Sequence, residues 1–274
     1  MSTRASPIGI FDSGIGGLTV VREVMRQLPT ERIVYFGDTA RVPYGPKSPD
    51  TVRRYSREIS AFLMAQDVKA VVVACNTATA HALPMLQREL SVLVIGVVEP
   101  GARAAVGATR RRELGVIGTT GTISSGAYEC AIRAIAPDVH IVARACPLFV
   151  PLVEEGWLDT EPTRLIAREY LAPIQAANVD TLVLGCTHYP LLKPLLAELL
   201  GPGVALIDSA HETAAEVARV LGANNLLAES FASAAAPDTP AHQFFASDAP
   251  EQFLRLGQRF LGSAIDCIET LTLG

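Results

Sequence analysis

The sequence has few cysteines, few charged residues and no long apolar run, and each shortage excludes a class of protein. Its 274 residues include five cysteines, an odd number without a Cys-x-x-Cys pair, which argues against a disulfide scaffold or a structural zinc site. No apolar run reaches the roughly 18 residues of a membrane span, and the N-terminus lacks the apolar core of a secretory signal. Charged residues make up 19% against 49% hydrophobic residues, which excludes intrinsic disorder.

Positive charge is also scarce. Lysine and arginine number 23 against 28 acidic residues, a net charge of -5, so the chain lacks the basic excess typical of nucleic-acid binding. We therefore expect a cytoplasmic protein that contacts neither nucleic acid nor membrane. At about 100–200 residues per domain, its length fits one large domain or two small ones.

Short apolar runs alternate with amphipathic segments along most of the chain, which predicts an α/β fold with parallel sheets. The strands are predicted at 7–11, 32–36, 68–74, 92–98, 114–117, 140–143, 181–185 and 204–207. The helices are predicted at 18–28, 48–66, 77–90, 123–136, 162–176 and 191–200.

The two halves of this pattern resemble each other. Cys75 and Cys186 each end an apolar run seven residues after a valine, and a similar shift relates Ile8 to Leu114. These similarities indicate an internal duplication, or they reflect only the general similarity of all α/β units. Duplication predicts two pseudo-symmetric parallel-sheet lobes with the active site in the cleft between them. Residues 1–98 and 209–274 would form the first lobe and 99–208 the second. After a loop at 227–241, a strand at 242–247 and a helix at 250–261 would return to the first lobe.

Two cysteines occupy equivalent places where a strand turns into a helix. Ligands of parallel α/β proteins bind at that edge of the sheet, and a helix N-terminus there lowers a thiol pKa. Cys75 and Cys186 are therefore candidate catalytic groups, although a cysteine at a strand end is often only a small buried side chain. The remaining cysteines have no such setting and are predicted to be packing residues: Cys130, Cys146 and Cys267.

Three ionisable residues each have two interpretations. Asp12 ends the first strand and would either contact a ligand or cap the next helix. His188, two residues after Cys186, would either share a proton with that thiol or lie at the surface. Glu154 is ambiguous because acids in loops are usually solvated.

The glycine-rich motifs of nucleotide sites are incomplete. A dinucleotide fingerprint would need glycine at Thr19, and a P-loop would need it at Arg41 and Pro46. No cofactor or metal is therefore expected. Two thiols facing each other across a cleft favour racemisation, in which one removes the Cα proton and the other returns a proton to the opposite face. The residues alone also fit a hydrolase that uses Cys186 and His188.

Four motifs in this order resemble the cofactor-independent glutamate racemases. They are residues 12–19 (DSGIGGLT), 37–45 (GDTARVPYG), 74–78 (ACNTA) and 184–190 (LGCTHYP). The related aspartate racemases usually open with a Gly-Gly-Met-Gly type of turn and place glutamate where this chain has His188. The resemblance covers at least residues 8–217.

The resemblance implies a role for each matching residue. Cys75 and Cys186 would be the proton donors and acceptors, Asp12 would support Cys75, and His188 and Glu154 would support Cys186. The glutamate substrate would be bound by Asp12, Ser13, Tyr44, Gly45, Asn76, Thr77, Thr119, Thr122, Thr187 and His188.

The resemblance also implies a biological setting. The product D-glutamate would supply bacterial peptidoglycan synthesis, and the enzyme would be a homodimer. A DNA gyrase interaction is known for some members only. Aspartate and hydantoins are the alternative substrates.

Overall fold

The computed structural model describes residues 3–229, 242–262, 265 and 267–273 and contains two parallel sheets with interleaved helices. The strands are β1 (Ile8–Asp12), β2 (Ile33–Gly37), β3 (Ala70–Val73), β4 (Leu93–Gly96), β5 (Glu113–Gly118), β6 (His140–Ala145), β7 (Thr181–Gly185), β8 (Ala205–Asp208), β9 (His242–Ala246) and β10 (Glu269–Thr270). The helices are α1 (Leu18–Gln27), α2 (Pro49–Ala65), α3 (Asn76–Glu89), α4 (Val98–Ala108), α5 (Thr120–Ser124), α6 (Ala127–Ile135), α7 (Phe149–Glu154), α8 (Glu161–Ala176), α9 (Lys193–Leu200), α10 (Ser209–Ala223) and α11 (Pro250–Leu261). Short 3₁₀ turns cover Thr39–Arg41 and Tyr189–Leu192.

The two sheets repeat one strand order. The first sheet runs β10-β9-β2-β1-β3-β4 and the second runs β6-β5-β7-β8, and all neighbouring strands are parallel. In each sheet, the first four strands in chain order therefore lie side by side in the order second, first, third and fourth. The predicted α/β class with two similar parallel sheets is confirmed.

Four strands near the centres of the two sheets are buried along their whole length. Every residue of β1, β2, β3 and β7 is buried, as expected for parallel strands covered on both faces. Their side chains therefore hold the strands in fixed register, and the loops that leave their carboxyl ends start from rigid positions.

The C-terminal part of the chain contacts the first sheet. Strand β9 pairs with β2, β10 pairs with β9, and α11 packs against α1. Helix α10 packs against both α1 and α4. The lobe boundaries at 98/99 and 208/209 stay a prediction, and most of the predicted loop at 227–241 lies outside the described residues.

Several helices differ from the sequence prediction. The strand predicted at 92–98 is shorter because α4 begins at Val98. Helix α4 was not predicted, since its proline and two glycines disfavour a helix (VEPGARAAVGA). The helix predicted to end at Ala136 is two helices, since Gly126 adopts a left-handed conformation (φ 65°) between α5 and α6. Helices α7 and α10 were not predicted. Within the described ranges, no helix is long and apolar enough to cross a membrane.

Candidate active site

A pocket lies between the two sheets, at the carboxyl ends of their central strands. Its walls come from the loops that follow β1, β2, β3, β5 and β7, together with one residue of α7. The lining residues are Ser13, Val42, Pro43, Tyr44, Gly45, Cys75, Asn76, Thr77, Thr119, Val150, Cys186, Thr187 and His188. Ten of the predicted site residues are thus brought together, and both cysteines line the same pocket.

Three predicted site residues lie just behind this wall. Asp12 is completely buried, and its Oδ1 accepts a hydrogen bond from the Thr187 hydroxyl at 3.5 Å. The Thr122 hydroxyl lies 3.0 Å from that of Thr119. Glu154 lies at the end of α7 and lines a neighbouring apolar pocket. They are placed to support the lining residues.

Cys75 follows β3 and caps α3. Its Sγ accepts the Ala78 backbone N–H at 3.4 Å and donates to Ser13 Oγ at 3.6 Å. Burial, and then the nearby Asp12 carboxylate, raise the pKa of the Cys75 thiol to about 12. The backbone N–H at the helix N-terminus lowers this pKa, but burial and the Asp12 carboxylate together have the larger effect. The expectation that the helix would favour a Cys75 thiolate is therefore wrong.

Asp12 is held by the turn that follows β1. Its Oδ2 accepts the Gly14 N–H at 3.0 Å. Burial raises the pKa of Asp12, while His188 and the backbone N–H groups of the turn oppose that rise. Helix α1 begins after Gly17, whose backbone N–H is one of the groups that lower the pKa of Asp12. Asp12 therefore contacts the start of α1, and its predicted contact with a ligand stays a prediction.

Cys186, His188 and Glu154 form a chain of contacts. The Cys186 Sγ lies 3.9 Å from His188 Nδ1, and His188 Nε2 lies 2.9 Å from Glu154 Oε1. Burial lowers the pKa of His188, but hydrogen bonds to Cys186 and Glu154 outweigh burial and raise that pKa to about 10. The raised pKa favours the protonated imidazole, and its ring lies beside the Cys186 sulfur. A surface position for His188 is excluded because only 3% of it is exposed.

Direct contacts join the two sheets around the pocket. The hydroxyl of Thr77, from the first half, lies 2.8 Å from that of Thr119 and 3.2 Å from that of Thr122. The Gly121 N–H donates to the Gly45 carbonyl at 2.8 Å, and a Cβ on Gly121 would lie 2.8 Å from that oxygen. The close approach of the Gly45 and Gly121 backbones, which belong to the two halves of the chain, thus depends on glycine at position 121.

Tyr44 is positioned by a network that the sequence did not reveal. Its hydroxyl donates to the buried carboxylate of Asp38, which also accepts Arg41 Nε at 2.8 Å and the Ser247 hydroxyl at 2.9 Å. The phenol is therefore bound within the protein, and Tyr44 and Gly45 both line the pocket. The only signal in the sequence was Asp38 itself, at the end of a predicted strand.

The remaining cysteines fall into two groups. Cys146 is completely buried, which confirms its predicted packing role, whereas Cys130 and Cys267 are exposed, so that prediction is wrong for both. In the described part of the chain, no three His, Cys, Asp or Glu residues are grouped as a metal site would require.

Comparison with known proteins assigns the chain to a family. The model of the Asp/Glu/Hydantoin racemase family matches residues 8–217. The chain belongs to this family. It is 55% identical over 266 residues to a glutamate racemase of Geobacter metallireducens, covering 97% of this chain and 96% of the relative.

Two solved structures extend the comparison. A glutamate racemase isoform from Bacillus anthracis superimposes with a TM-score of 0.92 at 42% identity, over 98% of both chains. The glutamate racemase from Francisella tularensis, solved in complex with D-glutamate, gives a TM-score of 0.90 at 37% identity, also over 98% of both chains. The fold is thus that of the glutamate racemases.

Proposed function

We propose that this protein interconverts L- and D-glutamate without a cofactor, with Cys75 and Cys186 as its two proton-transfer groups. The observation that carries the proposal is that both thiols line one pocket from equivalent strand ends of the two sheets. An inversion at Cα needs an acid and a base on opposite faces of the substrate, and two similar sheets facing each other supply such a pair.

The pocket also offers groups that suit an anionic amino acid. Hydroxyls of Ser13, Thr77, Thr119 and Thr187 and the amide of Asn76 line it, and each can donate a hydrogen bond to a carboxylate oxygen. The structural relative from Francisella tularensis was solved with D-glutamate, and the Geobacter relative is a glutamate racemase. Both similarities support glutamate as the substrate.

The proton transfers balance without any other reagent. A thiolate takes the Cα proton and becomes a thiol, and the electron pair left on Cα spreads into the substrate carboxylate. The opposite thiol gives its proton to the other face of Cα and becomes a thiolate. The two cysteines have then exchanged protonation states, so the reverse reaction can use the same pair.

The contacts of the two sulfurs differ, which supports different roles for the two cysteines in the resting enzyme. Cys75 is a protonated thiol at neutral pH because burial raises its pKa to about 12, so it is the acid of the resting enzyme. Cys186 would be the base, because His188 Nδ1 lies 3.9 Å from its sulfur and Glu154 holds the other side of the imidazole at 2.9 Å. Asp12 would support Cys75 when that residue acts as the base.

The biological role and assembly form part of the same proposal. D-Glutamate made by this enzyme would supply bacterial peptidoglycan synthesis in the cytoplasm, and the enzyme would be a homodimer. Size-exclusion chromatography with light scattering tests the dimer. A DNA gyrase interaction stays an expectation for some family members, and a pull-down with purified gyrase tests it.

The test of the activity combines substrate and variants. Purified protein with L-glutamate and no added cofactor should lose its circular dichroism signal as the racemate forms. Cys75→Ala and Cys186→Ala should each abolish racemisation, whereas Cys146→Ala, which removes a buried thiol outside the pocket, should leave it unchanged. Full racemisation by either of the first two variants would contradict the two-cysteine assignment.

The alternatives predict other results. An aspartate or hydantoin racemase would turn over those compounds faster than glutamate. A hydrolase using Cys186 and His188 would accumulate a covalent acyl-enzyme, visible by mass spectrometry, and would not need Cys75. The position of Cys75 in the same pocket as Cys186 favours racemisation.

A further inference from the structure

Asn76 contributes a pocket-lining amide whose two ends differ in their partners. It is the first residue of α3, directly after Cys75, and it is almost completely buried. Its Oδ1 accepts a hydrogen bond from the Tyr128 hydroxyl at 2.7 Å. Its Nδ2 is buried without a hydrogen-bond partner among the described residues. A buried amide N–H group without a partner costs free energy, so this end of Asn76 is suited to binding a ligand acceptor.

Tyr128 reaches Asn76 from the other half of the molecule. It lies on α6, only 1% exposed, and spans from the second sheet to the first residue of α3. Two glycines leave room for it: a Cβ at Gly185 would lie 3.0 Å from Tyr128 Cε2, and one at Gly101 would lie 3.3 Å from its hydroxyl oxygen. Gly185 directly precedes Cys186, and Asn76 directly follows Cys75. The Tyr128 side chain therefore contacts the chain next to both candidate catalytic residues.

The direction of the hydrogen bond is set by the protonation of Tyr128. Burial raises the pKa of this phenol, while Ser209 opposes that rise, so the phenol keeps its proton at neutral pH. The phenol donates to Asn76 Oδ1. In a planar amide the NH₂ group lies on the opposite side, so a donor to Oδ1 directs Nδ2 away from Tyr128.

We propose that Tyr128 is a positioning residue that fixes the orientation of the Asn76 amide, so that its NH₂ group is presented to a carboxylate oxygen of the substrate. The inference rests on the proposed function, since it concerns binding of the same amino-acid substrate. Without the phenol hydroxyl, the amide could rotate by half a turn and present its carbonyl oxygen to the substrate, where it would repel the carboxylate. Tyr128 touches no substrate atom and acts only through Asn76.

A double-mutant cycle tests this coupling. Tyr128→Phe should lower kcat/KM for glutamate roughly five- to tenfold, mainly through KM, which matches the loss of one hydrogen bond. In an Asn76→Ala background the same change should alter kcat/KM less than twofold, because there is no amide left to orient. The dissociation constant of D-glutamate, measured by calorimetry, should follow the same pattern. Asn76→Ser replaces the alanine variant if that protein does not fold.

Tyr189→Phe is the matched control. Tyr189 is also completely buried, and its hydroxyl donates to the Cys146 carbonyl at 2.8 Å. This control should lower Tm about as much as Tyr128→Phe while leaving KM unchanged. It separates a general packing defect from a loss of amide orientation.

The outcomes separate the inference from the function it rests on. Equal effects of Tyr128→Phe with and without Asn76, in a wild-type protein that racemises glutamate, would overturn the inference alone. A wild-type protein that neither binds nor racemises glutamate would refute the proposed function, and the inference would fall with it.

Discussion

Gly16 lies where the turn after β1 meets the loop that carries Cys186. A Cβ at this position would lie 2.3 Å from Thr187 Oγ1 and 2.5 Å from both Nδ1 and Cε1 of His188. These distances are far below the normal contact distance of non-bonded carbon, about 3.5–4.0 Å. Gly16→Ala would therefore force the two pocket residues away from the turn without touching either cysteine.

The size of the effect follows from what His188 would lose. Its ring packs edge-on against Phe260, with centroids 5.2 Å apart, and its Nε2 bonds to Glu154 at 2.9 Å, so it has little room to retreat. A displacement that lengthens the distance between His188 Nε2 and Glu154 Oε1 beyond about 3.5 Å would break this hydrogen bond. A hydrogen bond to a charged group contributes about 1.5–3 kcal/mol. We therefore expect kcat/KM to fall roughly 10- to 150-fold.

The assay is the rate of glutamate racemisation by circular dichroism, together with Tm. Gly107→Ala is the control, because Gly107 lies in α4 with no atom within 4 Å of a Cβ placed there. That change should keep full activity and leave Tm equal or higher, since alanine is favoured over glycine in helices. Wild-type activity in Gly16→Ala would refute the claim that the close approach of this turn positions His188.

Four further predictions concern charged groups and the residues that support the site. Folding raises the pKa of His188 to about 10. The stability that the protonated imidazole contributes is therefore complete below the pKa of histidine in the unfolded chain, and it is lost as the pH rises through the pKa in the folded protein. Tm should fall between about pH 6.5 and 10. Glu154→Gln should flatten that fall and lower kcat/KM roughly tenfold, read from pH-dependent melting and rates. Tyr44→Phe should raise KM severalfold by loosening the loop that carries Gly45. Lys69→Met should cost about 3–5 kcal/mol in urea unfolding by leaving Glu31 buried and unpaired, and the added change Glu31→Gln should restore much of it.

The sheets and the position of both cysteines could be predicted because they depend on local patterns. Apolar runs of four to six residues gave the buried strands, and parallel strands carry their functional groups at one edge. Cys75 and Cys186 follow such runs directly. Helix α4, in contrast, contains Pro100, Gly101 and Gly107, which disfavour a helix, and its packing against α6 and α10 is not visible in the sequence.

The supporting residues could not be predicted because their partners are distant in sequence. Tyr128 meets Asn76 across 52 residues, and Ser247 meets Asp38 across 209. The pKa of Cys75 was expected in the wrong direction for a related reason. The helix N-terminus is visible in the sequence, whereas the extent of burial and the closeness of Asp12 depend on the packed fold.

The central claim is that two different groups handle the proton, one on each face of Cα. The most direct test is to incubate L-glutamate with the protein in deuterium oxide and to stop the reaction long before the two enantiomers reach equilibrium. The enantiomers are then separated, and mass spectrometry measures the deuterium in each. The two-cysteine account predicts that the D-glutamate formed carries solvent deuterium at Cα and the recovered L-glutamate does not. D-Glutamate that retains the original proton would show transfer by a single group and contradict the account.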